Sequence, residues 1–154
     1  VDLELVPAVE RVNTQQRQRM VEKIVHLLDG NVAGKTIGMW GLSFKPNTND
    51  IRESSSIAII QGLLAEGAKV KAFDPAAIEE SRAILPEVDF GKDAYDVANG
   101  ADALVLATEW NQFRRLDLVR IKGLLREPIF IDLRNVYDPA YMKQLGFRYC
   151  GVGR

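Results

Sequence analysis

Apolar positions along the first thirty residues repeat at helical spacing. Val9, Val12, Met20, Val21, Ile24, Val25 and Leu28 recur with Arg11, Gln15, Gln18 and Glu22 between them, the pattern of one face turned to a core and one to water. A single long amphipathic helix is predicted from about Pro7 to Asp29. Gly30 and Asn31 follow it as the natural stop, since both tolerate the left-handed conformation that closes a helix. The run Asn13 to Arg19 is almost wholly polar. That portion is expected to ride on a surface or to pack on a partner outside the chain.

After Gly30 the period changes. Short apolar runs at Thr36–Trp40, Val70–Phe73, Ala103–Ala107, Ile129–Ile131 and Phe147–Cys150 read as buried strands, with Val88–Phe90 a weaker one. Helical patterns fall between them at Ser55–Glu66, Ala76–Leu85, Asp93–Ala98, Leu118–Leu125 and Pro139–Leu145. Strands alternating with helices imply βαβ units, right-handed crossovers and a parallel sheet. The expected fold is therefore α/β, a Rossmann-like doubly wound parallel sheet preceded by one long helix. The helix occupies residues 1–30 and the domain residues 31–154.

Composition narrows the function. A chain of 154 residues can build one domain with a substantial core. Twenty Lys and Arg against 21 Asp and Glu give a net charge of -1, so no field of one sign exists to draw nucleic acid or an anionic membrane. Basic residues must be judged loop by loop. A lone cysteine, Cys150, excludes an intrachain disulfide, and with a lone histidine, His26, it argues against a metal cluster. No signal peptide or bilayer-length apolar run is visible, and the simplest location is cytoplasmic. Val1 in place of Met, and an opening that reads as the middle of something, suggest an excised piece. The closing Gly151-Val152-Gly153-Arg154 looks more like a natural end.

The segment after the first strand carries the candidate chemistry. A strand ending in a glycine turn and feeding a helix is where open α/β sheets bind ligands. Here the loop is long and basic at Lys45 and Arg52, which points to a phosphate-bearing ligand. It does not fit a dinucleotide in the usual place. The pattern is Gly38-x-x-Gly41-x-x-Phe44, without the second glycine that lets backbone approach a pyrophosphate, and the helix starts late. Asp74 ends the second strand, where a ribose-binding acid would stand, but with Pro75 after it the reading is a turn or a cap on the next helix. Thr48 and Asp50 are expected to brace the loop through local bonds. Ser54 is expected to cap the following helix, with Glu53 near its positive end.

The run Gly41-Leu42-Ser43-Phe44-Lys45-Pro46-Asn47-Thr48-Asn49-Asp50-Ile51-Arg52-Glu53-Ser54 closely resembles the C-terminal domain of the UDP-glucose/GDP-mannose dehydrogenase family. Phe73-Asp74-Pro75, Ala107-Thr108-Glu109-Trp110-Asn111-Gln112-Phe113 and Ile131-Asp132-Leu133-Arg134-Asn135 continue the resemblance in order. The opening helix looks like the end of the long central helix joining the two halves of such enzymes. Within the family the motifs look most like the UDP-glucose 6-dehydrogenases. GDP-mannose and UDP-N-acetylmannosamine dehydrogenases share the framework.

The resemblance implies an enzyme that oxidises a sugar C6 alcohol to a carboxylate in two hydride transfers to NAD, through a cysteine thiohemiacetal. It implies that this domain grips the nucleotide part of the sugar nucleotide. NAD would be held mainly by an N-terminal domain, which is missing here together with the nucleophilic cysteine. Phe44 and Lys45 match the family's substrate contacts. Arg134 matches an arginine that contacts the nucleotide, with a salt bridge to Asp132 or Asp138 as the alternative. Arg52 matches a residue that reaches across the cleft to NAD, with pairing to Asp50 or Glu53 as the rival. No catalytic residue is assigned, and Cys150 reads as a small, partly buried core residue. Glu109 and Trp110 face the same edge but are not assigned to the site. His26 is expected at a surface or interface. A homodimer through the central helix is implied for the whole enzyme, and a non-catalytic nucleotide-binding or regulatory module is the rival from another class.

Overall fold

The first strand, β1 (Thr36–Trp40), lies at the middle of a six-stranded sheet. With β2 (Lys69–Phe73), β3 (Asp89–Phe90), β4 (Ala103–Leu106), β5 (Ile129–Asp132) and β6 (Arg148–Gly151) it forms the order β3-β2-β1-β4-β5-β6. Every neighbouring pair is parallel. The helices are α1 (Leu5–Leu27), α2 (Ser55–Ala65), α3 (Ile78–Arg82), α4 (Ala94–Ala98), α5 (Leu118–Leu124) and α6 (Pro139–Gln144). The computed structural model describes residues 5–152, with side chains from residue 15 onward. The side chains of Val9 and Val12 of the expected stripe, and Gly153 and Arg154 of the expected end, lie outside what is described.

Period-2 geometry divides the strand residues between two cores. Ile37, Met39, Val70, Ala72, Ala103, Val105, Ile129 and Ile131 pack with Val21 and Ile24 of α1, Leu28 just after it, and Ile57, Ile59, Ile60 and Leu63 of α2. Trp40, Leu104, Leu106 and Phe130 pack on the other face with Val97 of α4, Ile121 of α5 and Met142 of α6. Every residue of β4 and β5 is buried. That is why these strands read as unbroken apolar runs rather than as alternating ones. Aromatic rings fix the second core: Trp40 stacks on Phe113 at 5.3 Å, and Phe130 meets Tyr137 edge-on at 5.4 Å.

Three helix starts follow from side-chain caps. Asp93, Asp117 and Asp138 accept from the backbone N–H of Asp96, Arg120 and Tyr141, supplying partners that the first helical turn cannot supply itself. The doubly wound sheet and its preceding helix are as expected, with three differences of extent. Helix α3 is five residues rather than ten. The Asp74 side chain takes the N–H groups of Ala76 and Ala77, and Pro86 turns the chain away at the other end. The weak strand shrinks to Asp89–Phe90. A 3-10 turn at Asn111–Arg115, too short to show a period, was not foreseen.

Of α1, the described polar residues Gln15, Gln16, Gln18 and Arg19 are exposed. Its C-terminal half is tied to the sheet by Lys23 Nζ on the Gly151 carbonyl at 2.6 Å and by Arg148 on the Leu27 carbonyl at 3.2 Å. His26 is exposed in its last turn, as expected of a surface residue. Among the described residues no helix is long and apolar enough to cross a membrane.

Because all strands run the same way, the segments following β1, β2, β4 and β5 gather at one edge of the sheet. The strand order reverses between β1 and β4, and ligands of open α/β sheets bind outside the carboxyl ends of strands at such a reversal.

Candidate functional site

The loop from Gly41 to Ser54 leaves β1 at this reversal and is pinned at both ends. Gly41 donates its N–H to the Phe73 carbonyl at 2.8 Å. Its φ of 102° lies in the region glycine alone enters readily. Farther on, the Phe44 N–H meets the Asp50 carbonyl at 2.7 Å and closes the tip of the loop. Asp50 N–H donates to Thr48 Oγ1, and Arg52 N–H to Asp50 Oδ1. Thr48 and Asp50 therefore brace the loop as expected.

Ser54 corrects an expectation. It occupies the N-cap position of α2, but its side chain makes no cap bond. Its hydroxyl instead donates to the Leu42 carbonyl at 2.7 Å, across the base of the loop. A buried carbonyl there has no strand partner, and a hydroxyl twelve residues on satisfies it.

Asp74 organises the loop from below. Oδ1 takes the N–H groups of Ala76 and Ala77, the turn expected of it. Oδ2 takes the N–H groups of Leu42 and Ser43 at 2.8 and 3.0 Å, the Ser43 hydroxyl at 3.0 Å and the Trp110 indole N–H at 3.2 Å. The residue is 2% exposed. An acid whose two oxygens already hold six protein donors has no lone pair directed at a ribose. The residues of this sheet thus do not fit NAD in the usual dinucleotide place.

The four residues assigned from sequence all lie at this edge. Phe44 is 50% exposed, an apolar ring turned outward from a pinned backbone. Lys45 is exposed beside it, and among the described residues no carboxylate pairs with it. Arg52 takes its rival role: Nε and Nη2 each lie 3.0 Å from an Asp50 oxygen, on a side chain 88% exposed. Those hydrogen bonds from the Arg52 side chain, then that from its backbone, draw the Asp50 carboxyl down from 3.8 to about 2. A folded-state value below the ordinary one means the pairing is fully present above pH 3.8 and is lost as pH falls through about 2. A carboxyl-detected NMR titration is expected to place the Asp50 midpoint near 2. An unshifted midpoint would show that the pair does not form in solution.

Arg134 follows β5, and neither acid named as its alternative partner is free to take it. Asp132 accepts from the N–H groups of Arg134, Val136 and Tyr137 and from the Tyr149 hydroxyl. Asp138 caps α6. The partner is Glu109, after β4: Arg134 Nε bonds one carboxylate oxygen and Nη2 lies 3.3 Å from the other. Each group favours the charged form of its neighbour, so the Glu109 carboxyl sits below and the Arg134 guanidinium above its ordinary value.

Glu109 and Trp110, left unassigned from sequence, belong to this arrangement. Trp110 bonds the Ser43 hydroxyl and Asp74, and Thr108 Oγ1 donates to the Ser43 carbonyl at 2.9 Å. The available signal was position, since both follow a buried strand at the reversal. Cys150 is partly buried on β6. Among the described residues no group of acids, histidine and cysteine is arranged to hold a metal ion.

Comparison with known proteins bears on this geometry. Residues 38–139 match the model of the UDP-glucose/GDP-mannose dehydrogenase family, UDP binding domain. The UDP-glucose 6-dehydrogenase of Rhizobium meliloti is 41% identical over 150 residues, 97% of this chain and 34% of that protein. That of Pseudomonas aeruginosa is 42% identical over 159 residues, 99% of this chain and 35% of that protein. A solved UDP-glucose dehydrogenase from the archaeon Pyrobaculum islandicum superposes with a TM-score of 0.77 at 32% identity, covering 95% of this chain and 31% of that one. The chain thus spans about a third of the length of these relatives. It belongs to the UDP-glucose/GDP-mannose dehydrogenase family, and its six-stranded domain is the family's UDP binding domain.

Proposed function

We propose that this chain supplies the nucleotide-gripping half of the cleft of a UDP-glucose 6-dehydrogenase, a cytoplasmic NAD-dependent enzyme that converts UDP-glucose to UDP-glucuronate. The observation that carries the reading is Lys45: an ammonium that forms no ion pair with a carboxylate among the described residues, on a loop pinned at both ends, at the reversal of strand order. Solvated lysines are common, but this one stands within the matched residues 38–139. Lys45 would meet the diphosphate or sugar hydroxyls, Phe44 would offer its ring to the ligand, and Arg134 would bring a planar fork to phosphate or ribose oxygens. Arg52, now held by Asp50, would reach NAD carried on the other domain. Binding energy gathered from this unreactive end of the substrate positions C6 for chemistry elsewhere in the enzyme. In the complete enzyme α1 would join two copies as a homodimer. The open groove of about 620 Å³ between α1 and α2, floored by Val21, Val25, Ala58 and Gly62, is available to that contact.

Calorimetric titration with UDP-glucose, UDP, GDP-mannose and NAD in parallel tests the reading. Heat from the two uridine ligands is expected. Lys45→Ala and Arg134→Ala each remove a charge-assisted bond worth roughly 1.5–3 kcal/mol, and so are expected to raise Kd by roughly 10- to 150-fold. Unchanged affinity in both variants would remove the site assignment, and binding of NAD alone would overturn the reading. A preference for GDP-mannose would move the chain to the sister subfamily.

A further inference from the structure

Arg134 and Glu109 face each other across 25 positions of sequence, from the ends of neighbouring strands β5 and β4. An acid beside a cation meant for phosphate can act in two opposite ways. It can compete with the ligand, neutralising the guanidinium until phosphate displaces it. Or it can hold one edge of the guanidinium so that the other edge is aimed before the ligand arrives. The geometry separates these.

Glu109 binds through Nε and Nη2, one edge of the planar fork. A guanidinium carries five N–H donors. Both hydrogens of Nη1 and the second of Nη2 remain for a ligand. The acid therefore leaves the Nη1–Nη2 edge of the fork for a diphosphate or ribose.

Both sequence neighbours of Glu109 are held. Thr108 before it donates to the Ser43 carbonyl, and Trp110 after it bonds Ser43 and Asp74. Its backbone is thus set between two residues held on the same scaffold that carries Phe44 and Lys45, and its carboxylate meets Arg134. Arg134 is fixed at its own backbone by Asp132. A long side chain anchored at both ends loses less freedom when it binds. Arg114, on the 3-10 turn, adds a second positive charge near Glu109 and favours the ionised carboxylate.

We infer that Glu109 is a positioning residue for nucleotide recognition: it clamps the Nε edge of Arg134 and presents the remaining edge to the ligand in register with Lys45. The inference rests on the proposed function, because it takes the Arg134 ligand to be the nucleotide diphosphate or ribose.

The sign of one substitution decides between clamp and competitor. Glu109→Ala deletes a negative charge near a bound polyanion, so a competitor or a bystander would leave UDP binding tighter or unchanged. A clamp predicts weaker binding, by roughly tenfold, within the range of couplings between contacting side chains. Glu109→Gln keeps an acceptor for one Arg134 N–H while losing the charge and the second acceptor, and is expected to recover part of the affinity. A merely structural defect would not be rescued in that way. In the Arg134→Ala background, Glu109→Ala is expected to cause no further loss. UDP is the probe throughout, with thermal midpoints of all variants measured alongside.

Tighter or unchanged binding by Glu109→Ala, while Arg134→Ala still weakens it, would overturn the clamp and leave the proposed function standing. Equal losses from Glu109→Ala with and without Arg134 would likewise overturn it. If Arg134→Ala and Lys45→Ala are both without effect, the proposed function falls and the clamp with it.

Discussion

Gly41→Ala is expected to lower the stability of this domain by about 2–6 kcal/mol, although it adds one methyl group. Two terms combine. The φ of 102° lies where a side chain is strained, a term of about 1–3 kcal/mol. An added Cβ would also lie 2.5 Å from Thr108 Cβ and Oγ1 and 2.6 Å from its backbone nitrogen. Backbone cannot swing aside as a flexible side chain can, and overpacking of this kind adds about 1–3 kcal/mol. Gly100→Ala separates the two terms. Gly100 also has positive φ, at 77°, but nothing lies within 4 Å of an added Cβ, so only strain should appear. Urea unfolding measures both: with slopes of about 1–3 kcal/mol/M, the midpoint for Gly41→Ala should fall by at least roughly 0.7 M, and that for Gly100→Ala by clearly less. Equal shifts would show that Thr108 yields freely. The substitution also reaches the site. Moving Thr108 moves Glu109 beside it, so UDP affinity of the protein still folded should fall as well.

That coupling between packing and site explains which parts of the molecule could be read from its residues. Strands β1, β4 and β5 were legible because burial on both faces writes an unbroken apolar run, a signal that survives without knowledge of neighbours. By contrast β2 and β6, partly exposed nearer the sheet edges, showed only the short apolar stretches Val70–Phe73 and Phe147–Cys150. Lys45, Arg52 and Arg134 were reachable as cations following strands, since all strands here point to one edge, while Phe44 and the roles proposed for all four came from the family resemblance. Their partners were not. For Arg134 the acids nearest in sequence, Asp132 and Asp138, looked like natural mates. Both sit where backbone N–H groups lack strand or helix partners, and those donors claim them first. The acid that remains comes from the neighbouring strand's loop, a proximity set by pairing β4 with β5. Ser54 failed in the same manner: its hydroxyl served a carbonyl brought close by the fold rather than the helix it precedes. Local rules say which groups need partners. Sheet order decides who supplies them.

Asp74 puts that distinction to its hardest test, since its place at the end of β2 is that of a ribose ligand while its contacts are those of a brace. Asp74→Ala is expected to strip the acceptor from five donors at once, four of them backbone N–H groups, and to leave the Trp110 indole with the Ser43 hydroxyl alone. Each buried donor left unsatisfied loses about 1–3 kcal/mol, and water entering the space would recover part of that. A net loss of at least about 3 kcal/mol follows, a large share of the 5–15 kcal/mol typical of a domain. Asp74→Asn sharpens the argument because it keeps shape and volume. Its amide nitrogen must face either the Ala76 and Ala77 N–H pair or the Leu42, Ser43 and Trp110 donors, and donor would oppose donor in both orientations. The isosteric change should therefore destabilise nearly as much as the truncation. A ligand-facing acid would behave otherwise: Asp74→Asn would leave the urea midpoint in place and change only nucleotide binding. Measured together, unfolding midpoint and UDP affinity distinguish the two roles. The expected result is a fall in both, with the loop carrying Phe44 and Lys45 loosened as the brace beneath it fails. An unchanged midpoint with altered NAD or UDP binding would return Asp74 to the ligand and overturn the assignment of this edge as a braced, non-dinucleotide site.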